Sequence, residues 1–261
     1  MNILTEIIAK KRERVILAQE VLPFDHVRHQ AYEVRRDSMP HALRNALRAD
    51  GINIIAEFKR RSPSKGTIRP NANLTQIVRS YEAGGASAIS VLTEEDYFDG
   101  SLDDLRTVKS AVNLPVLRKD FVFEAYQAYE SAAAGADAIL LIVAALDDES
   151  LLRLRQLAED ELAMDALVEV HTSDEMTRAT KSGATLIGIN NRNLQTFETY
   201  IDISYSLAHD APRDAMLISE SGLHSSKDLR FLRDAGFSGF LIGETLMRAD
   251  DPEEMLRNLR A

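Results

Sequence analysis

Glu57 and Lys59 stand two residues apart in the run IIAEFKRRSPSKG, residues 54–66, directly after two isoleucines and an alanine. Three further apolar runs end on a polar side chain: Lys119 in LPVLRKD, Glu169 in DALVEVH and Asn190 in LIGIN. Carboxylates and ammonium groups held close together shift each other's proton affinity, which suits them to general acid–base work. Burying a charge costs several kcal/mol, about what a well-made pair recovers. Any one of these groups could belong to a structural ion pair. The five together ask for a purpose beyond stability.

A second group of residues suits an anion. The chain carries SESG at 219–222 and IGET at 242–245, and Gly222 and Gly243 would let backbone N–H groups approach an anion closely. The segment RRSPSKG adds Arg60, Arg61, Ser62, Ser64 and Lys65, of which Arg60 and Arg61 read equally well as solvated surface. Phe98 and Phe121 follow two of the apolar runs and could floor an aromatic pocket rather than pack in a core. His171 reads as a hydrogen-bonded residue at a strand end. The six histidines lack metal-ligand spacing and there is no cysteine, so no metal is expected, and no G-x-S-x-G elbow supports a serine hydrolase.

The elements that must position these groups show in a repeat. EAGGASAISVL, AAAGADAILLIV, KSGATLIGIN and RDAGFSGFLIG each end a helix-like stretch on glycine and then enter a short apolar strand. Gly85, Gly135, Gly183 and Gly236 fall where a helix C-terminus needs left-handed backbone, spaced by 50, 48 and 53 residues. Another strand lies between successive repeats. Eight strands result, near 53–59, 88–92, 114–119, 138–143, 165–170, 186–190, 215–219 and 239–242. Strands alternating with helices pair in parallel, and eight such units suit a (β/α)8 TIM barrel. An open doubly wound sheet would usually show G-x-G-x-x-G after an early strand, and none occurs.

Barrels carry their sites at the C-terminal ends of the strands. Alternation along a strand then places Ile54, Ala56 and Phe58 outward, with Ile55, Glu57 and Lys59 inward. It likewise turns Leu167, Glu169 and His171, and Gly188 and Asn190, inward. Lys119 shares a face with Leu117, although Arg118 interrupts the outward face of that strand. Residues 1–50 stand outside the repeat. ILTEIIAKKRERVILAQ and SMPHALRNALRA fit amphipathic helices, and no linker follows them. The expected organisation is one barrel domain over 1–261, with 1–50 a helical extension packed on it.

Composition excludes some partners. The 31 basic and 41 acidic residues give a formal charge of −10, without the basic footprint that nucleic-acid binding needs. No apolar run approaches the ~20 residues of a membrane span, and the N-terminus lacks a signal peptide's apolar stretch. The expectation is a cytoplasmic protein, a monomer or weak homo-oligomer, acting on a small phosphorylated molecule. The residues alone leave open a phosphosugar isomerase, a Schiff-base aldolase and a non-catalytic phosphate-binding barrel. An aldolase needs a deprotonated lysine, and Lys119 stands beside Asp120 among other charges.

Taken in order, IAEFKRRSPSKG, SVLTEEDYFDGS, PVLRKDF, GADAILLIV, LVEVH, GINNRNL, SESG and FLIGETLM resemble the indole-3-glycerol phosphate synthase family over about residues 50–248. The resemblance implies ring closure of 1-(2-carboxyphenylamino)-1-deoxyribulose 5-phosphate, with loss of carbon dioxide and water, in tryptophan biosynthesis and without cofactor or metal. It implies Lys119 as general acid, with Glu57, Lys59, Glu169 and Asn190 as further catalytic groups. By the same likeness Ser62, Arg192, Glu220 and Ser221 contact substrate. Phe98, Phe121, Leu140 and Leu141 wall the aromatic ring. Gly222, Gly243 and the amide of Glu244 hold phosphate. Many relatives have serine in place of Glu244, so its ionised side chain is expected to turn away from the phosphate.

Overall fold

The computed structural model of the chain describes residues 3–193 and 196–261. Eight parallel strands close into a barrel in chain order: β1 (Ile54–Phe58), β2 (Ala88–Leu92), β3 (Val116–Lys119), β4 (Ala138–Ile142), β5 (Asp165–Val170), β6 (Leu186–Asn190), β7 (Met216–Glu220) and β8 (Phe237–Ile242). β1 pairs on one side with β2 (Ile55 opposite Ala88) and on the other with β8 (Ile54 opposite Phe240), which closes the ring. β8 starts two residues earlier than the sequence pattern predicts, because its register shifts between Phe237 and Gly239 and its first residues still pair with β7.

The alternation sorts the core into two shells. Ile55, Leu117, Leu140, Leu167, Leu186, Ile218 and Leu241 pack together inside the barrel. Ile54, Ala56, Phe58, Ile139, Leu141, Val168, Ile187 and Ile189 face the helices. Those helices are α4 (Leu74–Ala83), α5 (Leu102–Ala111), α6 (Ala125–Ala133), α7 (Asp148–Gln156), α8 (Ser173–Lys181), α9 (Asp202–Ala208), α10 (Ser226–Asp234), α11 (Glu244–Arg248) and α12 (Pro252–Arg260). Six start on a polar residue whose side chain accepts a backbone N–H of the first turn: Asn73, Ser101, Asp147, Thr172, Ser225 and Asp251. The four repeat glycines take positive φ, between 78° and 101°, as the pattern requires.

Residues 3–50 form three helices, α1 (Ile3–Val21), α2 (Phe24–Arg36) and α3 (Ala42–Ala46). The pattern finds the first, overlooks the second and overextends the third. α2 buries only Val27, Ala31 and Arg35 of thirteen residues, so its apolar stripe is too thin to read. α3 is cut to five residues because His41 enters it in left-handed backbone, φ 48°. It plugs the N-terminal end of the barrel: Leu43 and Leu47 join the inner shell, and Arg44 N–H donates to Asp165 at the start of β5. α2 packs on α6. α1 crosses the opposite end, where Ile3, Leu4 and Ile7 reach the mouth.

Arg118 resolves the irregular parity of β3. It faces outward as expected, but it is buried in a polar knot. Its guanidinium meets Asp120 at 2.9 Å and Glu130 at 2.8 Å, with bonds to Thr93 and Ser131 hydroxyls. Asp120 also takes an ion pair at 2.8 Å from Lys11 of α1, itself 3% exposed. The carboxylate of Asp120 therefore serves the helix side, although its neighbour Lys119 faces the barrel.

Candidate active site

A cleft of about 430 Å³ opens at the C-terminal ends of the strands. Glu57, Lys59, Lys119, Glu169, Asn190 and Glu220 stand at its base, each at or just past the last inward position of its strand. The Lys119 ammonium lies 2.9 Å from Glu169 and 2.5 Å from Glu220. Lys59 meets Glu57 at 2.5 Å. Two glycines make room for these carboxylates. A Cβ on Gly188 would come 2.1 Å from a Glu220 oxygen, and one on Gly243 would come 2.4 Å from a Glu57 oxygen. No other residue leaves space for the acids in those places.

The electrostatics follow from three charges sharing one dry region. Burial disfavours the Lys119 ammonium, but Glu169, Glu220 and Glu57 more than offset this and raise its pKa. Burial also works against the Glu169 carboxylate, and Lys119 and His171 overcome it, holding the group down at about 2. Glu220 goes the other way. Its burial and the charge of Glu169 outweigh its share of Lys119, and it is pushed up to about 7. One ammonium neutralises one carboxylate well and two poorly.

The other end of the cleft is cationic and rich in backbone donors. Ser221, Gly222, Gly243 and Glu244 line it, with Ser62, Ser64, Lys65 and Arg192 opposite. Ser221 and Gly222 both take positive φ, 66° and 74°; for serine this stores of order 1–3 kcal/mol of strain, which is common where a loop shapes a site. The segment after β1 folds into a two-stranded hairpin, Arg61–Ser62 against Gly66–Thr67. Arg60 is not free surface: it grips Asp104 with two bonds, 2.6 and 2.8 Å, and covers the Phe58 ring. The Glu244 carboxylate bonds Arg248 at 3.0 Å, with Lys65 at 3.7 Å and Arg192 at 4.0 Å.

The apolar wall is Phe98, Phe121, Leu140 and Ile142, with Leu92 beside them and Leu4 and Ile7 arriving from α1. Leu141 is a correction. It packs outward among the helices, because strand alternation that turns Leu140 inward turns its neighbour out; Ile142 takes its place. Phe98 and Phe121 lie 6.2 Å apart between ring centroids. The loop bearing Phe98 hangs on Glu94, fully buried, whose carboxylate accepts the N–H groups of Asp96, Tyr97 and Phe98. Nothing in the sequence marks Glu94 apart from the acids beside it. Apart from Arg60 and Arg61, every other site residue expected from sequence lines this cleft. His171 does not: it stands behind Glu169.

Fold and site together define a (β/α)8 barrel that sets a lysine between two carboxylates at its mouth. The indole-3-glycerol phosphate synthase family model matches residues 4–259. The indole-3-glycerol phosphate synthase of Bacteroides thetaiotaomicron is 46% identical over 257 residues, covering 98% of this chain and 97% of that one. The enzyme of that name from Carboxydothermus hydrogenoformans is 44% identical over 263 residues, covering 99% of each. The chain belongs to the indole-3-glycerol phosphate synthase family. Among solved structures, 3-hexulose-6-phosphate synthase from Salmonella typhimurium superposes with a TM-score of 0.65 at 14% identity, over 80% of this chain and 97% of that one, which shows a shared barrel fold.

Proposed function

We propose that the cleft closes the indole ring of 1-(2-carboxyphenylamino)-1-deoxyribulose 5-phosphate, releasing carbon dioxide and water and leaving indole-3-glycerol phosphate, a step of tryptophan biosynthesis. The observation that carries the residue roles is the Lys119 ammonium held between Glu169 and Glu220 at the centre of the cleft. A ketone is a weak electrophile until its oxygen is protonated, and Lys119 is the proton donor. The same two carboxylates argue against a Schiff-base role, which needs a neutral amine. Phe98, Phe121, Leu140 and Ile142 hold the anthranilate ring. Lys59 faces its carboxylate, with Glu57 and Lys59 assisting dehydration. Glu169 and Asn190 serve the proton transfers and Glu220 and Arg192 orient substrate. Ser62 and Ser221 close over the ribulose chain. The N–H groups of Gly222, Gly243 and Glu244 take the phosphate.

Every group in this scheme comes from one chain, so the reading needs no partner subunit; nucleic acid and membrane have no part in it, and the reaction is placed in the cytoplasm. Mixing the protein with the linear substrate tests the activity directly. Indole fluorescence should grow, free of background because the chain has no tryptophan. A flat trace, with substrate intact, would reject the proposal.

Glu244 leads to a separate expectation. Contrary to the expectation that its side chain turns away, its carboxylate stands 3.7 Å from Lys65 and 4.0 Å from Arg192, cations that would face a phosphate, so the two anions compete for them. Two like charges about 4 Å apart repel by roughly 1 kcal/mol in water. Glu244→Gln should therefore bind inorganic phosphate about fivefold more tightly, read as its inhibition constant. Weaker phosphate inhibition in that variant would place the carboxylate in a supporting role instead.

A further inference from the structure

The buried face of α1 has an odd member. Leu4, Ile7, Lys11 and Val15 follow helical spacing and are the residues that α1 buries. A lysine stands where the pattern asks for an apolar side chain, and it is 3% exposed. Taking an ammonium out of water is costly unless its partners are well placed. Here they are Glu95 Oε2 and Asp120 Oδ2, each at 2.8 Å. Burial disfavours the charge and Asp120 favours it, with Arg118 opposing and Glu95 supporting; the balance raises the pKa above that of an ordinary lysine.

The two acids lead to the two aromatic rings. Asp120 precedes Phe121, and its Oδ1 accepts the Phe121 N–H at 2.8 Å. Its Oδ2 also accepts the hydroxyl of Thr93, just past β2, at 2.6 Å. Glu95 belongs to the loop that hangs on Glu94 and ends at Phe98. One ammonium thus joins α1 to both aromatic walls of the cleft. Other ties between α1 and that loop lie at the surface: Arg14 to Asp96 at 2.8 and 2.9 Å, and the Tyr97 hydroxyl to Glu6 at 2.7 Å. Exposed contacts of this kind hold a helix weakly. One and two turns from Lys11 on the same face, Ile7 and Leu4 line the cleft.

We infer that Lys11 is a positioning residue for the aromatic end of the cleft: it pins the Phe98 loop and Phe121 to α1, so that Leu4 and Ile7 close over the ring of a bound ligand. A leucine in its place would bury as well and hold neither acid. The spacing of Phe98 and Phe121, 6.2 Å between centroids, is therefore set from outside the barrel. The reacting groups do not depend on this pin, because Lys119 and Glu169 stand on β3 and β5. Nor does the cationic end, which is built from the hairpin after β1 and the segments after β6, β7 and β8. The pin acts on ligands that carry a ring and leaves the rest of the cleft alone.

The inference rests on the reading of Phe98, Phe121, Leu140 and Ile142 as the seat of the anthranilate ring, and two probes separate the claims. One is the linear substrate with its ketone reduced to an alcohol, which cannot close. The other is ribulose 5-phosphate, which has no ring. Each is titrated calorimetrically into the wild-type chain, Lys11→Met and Glu95→Ala. A wild type that binds the reduced analogue no more tightly than ribulose 5-phosphate would reject the ring seat itself. In Lys11→Met, Asp120 keeps Arg118 and Thr93, so the knot behind β3 stays paired. That variant should bind the analogue about tenfold more weakly, and ribulose 5-phosphate as the wild type does. Its KM for the linear substrate should rise about tenfold, with kcat within about twofold of wild type. Glu95→Ala changes a side chain that is 34% exposed. It should show a smaller loss with the same selectivity, and it decides alone if Lys11→Met fails to fold. Wild-type affinity for the analogue in the folded variants, or an equal loss for both probes, would overturn the inference.

Discussion

Lys119→Met should lower kcat by about 10²–10⁴-fold, the range for loss of a well-placed general acid, while substrate still binds. Methionine keeps the length and apolar stem of the side chain, so the walls of the cleft and its cationic end are left in place. What disappears is the only ammonium within bonding distance of Glu169 and Glu220 among the described residues. The ketone then stays a weak electrophile. The substitution also leaves a mark on stability. Without Lys119 the two buried acids hold their protons above the ordinary carboxylate range. Such groups favour the folded state below the unfolded pKa, and that contribution is lost as pH rises through the folded value. The variant should thus fall further behind the wild type in thermal stability as pH increases from 5 to 8. Fluorescence kinetics and pH-resolved melting measure the two effects. Near-wild-type turnover would remove Lys119 from the acid role.

The second large effect is structural. Arg118→Met should destabilise the fold by about 3–5 kcal/mol, the usual result of removing one partner from a buried charge cluster. Arg118 is 2% exposed, and its loss takes the ion pair from Glu130 and leaves Lys11 as the one cation on Asp120 among the described residues. For a domain of this size that is a fall in melting temperature of roughly 10 °C. Because the knot lies on the helix side of β3, kcat at moderate temperature should drop far less than in Lys119→Met. Restoring part of the loss with Glu130→Gln added would identify stranded charge as the cause. A melting temperature unchanged by Arg118→Met would show the cluster to be energetically neutral.

What could be read in advance was what depends on local period. Two-residue alternation set Glu57, Lys59, Lys119, Glu169 and Asn190 on the inner face, and the glycine repeat counted the strands. The same alternation excludes Leu141 from the cleft in favour of Ile142; likeness to relatives, followed in place of parity, put it there. Contacts closed by the barrel itself were out of reach. Glu220 lies 101 residues from Lys119 and meets it only across the ring, so it read as a pocket-lining residue rather than a direct partner of the lysine. Asp120 read as company for Lys119, but consecutive strand residues point to opposite sides. Arg60 read as solvated because its partner Asp104 lies beyond a whole β–α unit.

The plug made by Leu43 and Leu47 bears on traffic. With one end of the barrel stoppered, the cleft is, among the described residues, a room that opens at the mouth. A bulky sugar phosphate, a gas molecule and a water must all pass the same threshold, beneath Ile3, Leu4 and Ile7. Any molecule lodged there obstructs departure as well as arrival, so an inhibitor wedged under the first helix would detain finished product while it turned away new substrate.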